Sequence, residues 1–265
     1  MKRKKIYLFL ILLVVLIAGC GRPVQVVVPT VDSSARETAL AGTALAVFGT
    51  ATSTPSPTET PVPTTVISSQ GTSLEIQEDQ TTLFTDHKTG IQVTFPAGWL
   101  ALRVGEPEFY GAFENEATKS PVFLNIFATM QDSDPAQFRV SAIDIREEVT
   151  YENFSKMEVV FAPEDQRTLN QVRALQAQKY AILKDYKLLS SRLTKTPAGL
   201  DIAVVEFQWQ AVTPEKDTFM QYHKEVIFKV PDGTLALQLF TGLDQKDLML
   251  PVFDDVFASL VLLTP

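Results

Sequence analysis

Apolar side chains at Ala203, Val205, Phe207, Trp209 and Ala211 repeat at every second position, a spacing that only an extended strand gathers onto one face. Glu206, Gln208 and Gln210 take the alternate positions. The same period returns in Thr218–Val230, where Met220, Tyr222, Val226 and Phe228 alternate with Gln221, His223 and Glu225, and again at Leu235, Leu237 and Leu239. The first two runs are joined across 213–217, so they read as a hairpin. Strands with one apolar face and few intervening helices predict an α+β fold, an antiparallel β-sheet with helices packed on it.

The rest of the chain from residue 81 to 263 extends this pattern. Alternation over 82–95 ends at Pro96-Ala97-Gly98, a turn signal closed by Trp99. Strands are expected at 100–104, 109–113 and 122–130, and 138–145 fits a strand better than a helix. A helix is expected to open at Pro163-Glu164-Asp165, with Leu169, Val172, Leu175, Ile182 and Leu183 on one side. A last helix carries Val252, Val256 and Leu260, with Pro251 in its first turn, because proline in a helix interior costs a hydrogen bond.

Before residue 81 the texture is different. Lys2, Arg3, Lys4 and Lys5 precede a run of 13 apolar residues from Ile6 to Ala18, then Gly19 and Cys20. That run is shorter than the ~20 residues a spanning helix needs. Basic residues, apolar run, small residues and a cysteine, in this order, resemble the lipobox of bacterial lipoproteins. The resemblance implies that residues 1–20 form a signal peptide ending in the lipobox and that Cys20 carries lipid. Several acyl chains on one residue would anchor the protein durably to the membrane. Residues 21–80 read as a Thr/Ser/Pro-rich flexible tether: between 50 and 66 there are seven Thr, four Pro and two Ser, a composition unable to build a packed core. Residues 81–265 then form one globular domain.

Charge and residue counts narrow the function. The chain carries 23 Lys and Arg against 31 Asp and Glu, and its formal net charge is −8. An acidic chain is repelled by nucleic-acid phosphate, so no nucleic-acid partner is expected. One cysteine and two histidines rule out a disulfide framework or a zinc site of the usual Cys and His ligands. No cofactor or metal is expected. The sequence lacks GxSxG, HExxH, GxxxxGK[ST] and SxxK, the local signatures of the commonest hydrolase and phosphate-loop mechanisms. The adjacent acids Glu147-Glu148, Glu164-Asp165 and Asp254-Asp255 read as solvated charge, Asp132 and Asp134 are better explained by an Asp-Pro helix or turn start than by a cation site, and His87 lies in an exposed turn. No catalytic residue is assigned.

One grouping stands out. If the hairpin keeps Phe207 and Trp209 on the face of Tyr222, either Glu206 or Gln208 lies opposite His223. Either register gathers Glu206, Gln208, Gln210, Gln221, His223 and Glu225 on one face, within reach of Gln238. An antiparallel sheet can leave such a face simply wet. An amide-rich face also suits partner binding, since amides are desolvated at lower cost than ions.

The order of landmarks resembles the PsbP-like family: FPAGW over 95–99, the helix leading through a strand into LDIAVVEFQW, then VPDGTLALQLF and LPVFDDVFASL. The family includes a luminal photosystem subunit and bacterial lipoproteins of unassigned role. The resemblance spans most of 82–263 and implies a PsbP-like α/β sandwich, while its motifs are core and turn residues that carry no activity. The expectation is therefore a lipid-anchored accessory or binding protein on the extracytoplasmic face of a bacterial cell membrane, without catalytic activity and with an extracytoplasmic protein partner. The alternatives are a carboxylate-based hydrolase, marked by converging acids in a concave pocket, and a small-ligand sensor, marked by a closed cavity lined by Phe and Trp.

Overall fold

The computed structural model describes residues 66–116 and 120–263. The signal peptide, Cys20 and most of the expected tether lie outside the described residues. Eleven strands and four α-helices are formed among the described residues, giving the expected α+β class. The large antiparallel sheet has the order β4(Trp99–Leu102), β5(Phe138–Asp144), β6(Ser155–Pro163), β10(Gly233–Gly242), β9(Thr218–Val230), β8(Asp201–Val212), β7(Lys187–Lys195). A smaller sheet has the order β1(Thr72–Ile76), β2(Thr82–Asp86), β3(Ile91–Phe95), β11(Val261–Leu262). Because β1 is fully paired with β2, the folded region begins earlier than residue 81, within the stretch expected to be tether.

One face of the large sheet packs against the small sheet and α4(Lys246–Ala258), around Phe84, Phe95, Trp99, Phe161, Phe228 and Phe253. The other face is covered in two places. α1(Pro107–Glu116) and α2(Pro121–Gln131) enclose a cluster of Phe109, Phe123 and Phe127 with Ile143 of β5. α3(Leu169–Lys179) sets Val172 against Val205, Phe207 and Ile227. The large sheet is thus buried on both faces over most of its width.

The structure departs from the sequence expectations at four elements. Residues 109–113 and 122–130 are helical, not strands. Their apolar residues run at helical spacing, as at Val122, Phe123, Ile126, Phe127 and Met130, and Ser120 caps α2 by accepting from the Val122 N–H with Pro121 in the first turn. Pro163 ends β6, and α3 begins only at Leu169, where Thr168 and Gln171 form a reciprocal capping box. The expected apolar side of that helix is reduced to a short contact, since Leu175 and Ile182 are exposed. α4 starts five residues before Pro251, which lies inside the helix at an exposed position, where the carbonyl left without its N–H partner can meet water.

Asp165, in the loop between β6 and α3, accepts from the Arg167 Nε at 2.7 Å, from its backbone N–H at 3.1 Å and from the Thr234 hydroxyl at 3.0 Å. The Arg167 guanidinium holds the Asp165 carboxyl down at about 2 against the opposing effect of burial. A depressed carboxyl stabilises the fold above its ordinary pKa and loses that contribution as pH falls through the folded value. Arg167 is 45% exposed, so solvent screening limits the contribution to about 1 kcal/mol. Urea titrations of the wild type and Asp165→Asn should therefore differ by a constant amount above pH ~5 and converge between pH ~4 and ~2. A difference that persists at the acid end would detach it from this carboxyl.

Candidate functional site

The five-residue connection 213–217 pairs Val212 with Thr218, and this sets the register of the whole hairpin. Phe207 lies opposite His223, Glu206 opposite Lys224, Gln208 opposite Tyr222 and Trp209 opposite Gln221. The expected six-residue face is therefore not formed. Gln221, His223 and Glu225 share a face with Phe207 and Trp209, while Glu206, Gln208 and Gln210 lie on the other. There Glu206 accepts from the Tyr222 hydroxyl at 2.8 Å and from Arg192 at 3.1 Å. The sequence argument assumed one apolar and one polar face. With both faces covered, apolar residues occupy both, and alternation alone no longer chooses the register.

The register builds two adjacent transverse rows on the helix-covered face. In one, Ser141 of β5, Glu158 of β6, Gln238 of β10 and Glu225 of β9 are consecutive neighbours. The Ser141 hydroxyl donates to Glu158 at 3.0 Å, and the Gln238 amide donates to Glu225 Oε1 at 3.0 Å. In the next row lie Lys156, Phe240, His223 and Phe207. Lys156 joins the rows, donating to Glu158 at 2.8 Å with its ammonium 4.8 Å from the Phe240 ring centre.

His223 and Glu225 are both 0% exposed. The His223 ring lies 4.3 Å from Phe240, 4.6 Å from Phe207 and 5.6 Å from Tyr180, centre to centre. Neither of its nitrogens, nor Glu225 Oε2, has a hydrogen-bond partner among the described residues, and the 3.9 Å between Nε2 and Oε2 is too long for one. Burial and the Glu225 and Glu158 carboxylates push the Tyr180 phenol up, so it stays protonated over these acids. An imidazole beside a carboxylate could move a proton, but a substrate has no route to this pair. The row instead imposes a polar requirement on the sheet floor.

Toward the open end of the hairpin the cover thins. Between α2 and the ends of β6, β10, β9 and β8 lies an open cleft of about 580 Å³. Lys156, Phe240, Gln221 and Trp209 line its sheet side, with Asn125 and Thr129 of α2 on its wall. The Asn125 amide donates to the hydroxyl of Tyr151, another lining residue, at 2.5 Å. Of the six residues singled out from the sequence, only Gln221 faces this space. His223 and Glu225 lie beside it in the buried rows. Lys156, Trp209 and Phe240 were not foreseen, and the five-residue connection was the available signal, because it sets Trp209 beside Gln221.

Two other hollows are less equipped. One of about 770 Å³ beside the β7–β8 turn and the end of α4 is lined almost wholly by apolar groups such as Leu200, Phe257 and Leu260. One of about 370 Å³ near Asp144 contains that acid already paired with Arg146 at 2.6 Å. Glu147 lines the same hollow, while of the other acid pairs considered for hydrolysis Asp165 is bound to Arg167, and Asp254 to Lys224 at 2.5 Å. No group of three His, Cys, Asp or Glu among the described residues is placed to hold a metal ion, and no helix among them is long and apolar enough to cross a membrane.

The solved structures similar to this chain include a cyanobacterial and a mycobacterial protein. The solution structure of cyanobacterial PsbP (CyanoP) from Synechocystis sp. PCC 6803 shares 14% identity and a TM-score of 0.45, over 71% of this chain and 95% of that one. LpqN of Mycobacterium tuberculosis, a protein involved in cell envelope biogenesis, shares 9% identity and a TM-score of 0.43, over 71% of this chain and 93% of that one. No protein-family model and no curated protein matches the sequence.

Proposed function

We propose that this chain is a lipid-anchored binding protein of the extracytoplasmic membrane face, and that its ligand occupies the cleft floored by Lys156, Trp209, Gln221 and Phe240. The observation that carries this reading is the contrast between the two neighbouring regions. The groups able to move protons, His223 and Glu225, are sealed at 0% exposure, whereas half-buried aromatic and amide groups face open space beside them. Such a place suits ligand binding, since mixed apolar and polar concavities of this size hold small molecules. The lipid expected on Cys20 would hold it near membrane-bound material and raise its encounter rate with it.

Two arms test the proposal in intact cells. Cys20→Ser should abolish fatty-acid labelling and shift the protein out of the processed membrane fraction; labelling that survives would overturn the anchor. A photo-crosslinking residue at position 221 should capture a discrete adduct that the same residue at exposed position 195 does not. Equal capture at both positions, or none at 221, would overturn the cleft as the binding site.

A further inference from the structure

We infer that the cleft takes a neutral saccharide, an inference that rests on the binding reading above and names its ligand class. The first observation is charge. The chain has a formal net charge of −8, yet no Asp or Glu lines the cleft, and its single cation, Lys156, is already matched by Glu158 at 2.8 Å. An anionic ligand would find no free positive charge there, and a cationic one no free carboxylate.

The second observation is the mixture of surfaces. Trp209, Phe240 and Tyr151 supply aromatic area, while Gln221 and Asn125 supply amides and Thr129 a hydroxyl that donates to the Asn125 carbonyl at 2.9 Å and is left as an acceptor. Among the described residues, the side-chain amide of Gln221 makes no hydrogen bond within the protein. Asn125 uses only its amide nitrogen, on Tyr151. Unused neutral donors and acceptors beside aromatic rings match a ligand that carries hydroxyls around its rim and C–H groups on its faces. An acyl chain would leave those polar groups unpaired, which is unfavourable once water is excluded.

The third observation is size. The volume of about 580 Å³ falls in the range that encloses a small organic ligand.

The test uses the full chain in a phosphocholine detergent, free of sugar headgroups, with maltotriose, cellotriose and chitotriose as probes. Ligand-detected NMR should show saturation transfer to the ring protons of at least one trisaccharide, with a dissociation constant between about 1 µM and 1 mM. Trp209→Ala and Gln221→Ala should each weaken that binding about tenfold or more, and Gln221→Ala should leave the unfolding midpoint close to the wild type. Gln221→Ala is the safer of the two for folding, since its amide makes no internal bond. No transfer to any of the three at about 10 mM, or binding that both variants leave unchanged, would overturn the saccharide assignment. If saccharides fail while position 221 still captures an adduct in cells, the ligand class alone falls. If both fail, the binding reading falls with it.

Discussion

Arg139→Ala should lower the unfolding free energy by about 3–5 kcal/mol, the usual cost of removing one partner of a buried ion pair. The Arg139 and Asp86 side chains are 1% and 0% exposed. The guanidinium donates Nε to Asp86 Oδ2 at 2.7 Å and Nη2 to Oδ1 at 3.1 Å, a two-pronged contact. It also reaches the carbonyl of Gln70 at 2.7 Å and that of Pro135 at 3.3 Å. Asp86 in turn accepts the backbone N–H groups of Lys88 and Thr89, shaping the turn between β2 and β3. One side chain thus fastens the small sheet and its N-terminal approach to β5 of the large sheet. Truncating it leaves a buried carboxylate without its counter-charge and two carbonyls without donors. Replacing both partners by apolar residues, Arg139→Met with Asp86→Leu, should cost clearly less than Arg139→Ala, because no ion is then stranded. Urea unfolding followed by circular dichroism reads both. A loss below about 1 kcal/mol for Arg139→Ala would place the pair with exposed salt bridges instead.

Phe127→Ala should cost about 3–5 kcal/mol, in the range of large-to-small changes at a sealed aromatic site. Phe127 is 0% exposed, and its ring centre lies 5.8 Å from Phe109, 5.7 Å from Phe113 and 5.8 Å from Phe123. Two of these partners belong to α1, so the side chain joins both helices to each other as well as to the sheet. α1 and α2 are short, 10 and 11 residues, and helices of that length are marginal without a packed face. The loss should therefore appear locally first, as rapid amide exchange over 107–131 at denaturant concentrations where β8, β9 and β10 stay protected. Because α2 is one wall of the cleft, trisaccharide binding should fall in parallel. Uniform exchange across the sheet would show that the helices unfold only with the whole domain.

Residues 201–240 show why much of the fold was legible in the sequence. Their period of two and their turn residues are local properties, and strands β8 and β9 and the antiparallel class follow from them. The turn at Pro96-Ala97-Gly98 was legible for the same reason: Gly98 adopts a positive φ of 78°, which glycine allows freely. Segments 107–116 and 121–131 were less readable, because a short apolar run fits a strand or a buried helix, and the aromatic cluster they share settles which. β7, the strand expected between the helix and LDIAVVEFQW, came from the resemblance and not from periodicity, since an exposed edge has little apolar alternation to show.

The site lay further from reach. Sequence alternation correctly separates Gln221, His223 and Glu225 from Met220, Tyr222 and Val226, because neighbours on one strand point to opposite faces. Which face of β9 joins which face of β8 depends on a five-residue connection, and a shift of one residue exchanges the two. Whether each face is wet depends on helices and a second sheet that come from distant parts of the chain. The sequence by itself determined the α+β class, the strands of the central hairpin and the acidic character of the chain, since each is local or additive. Only the tertiary structure decided that His223 and Glu225 are sealed and that Lys156, Trp209, Gln221 and Phe240 meet at one cleft, because burial is a property of what packs above a residue.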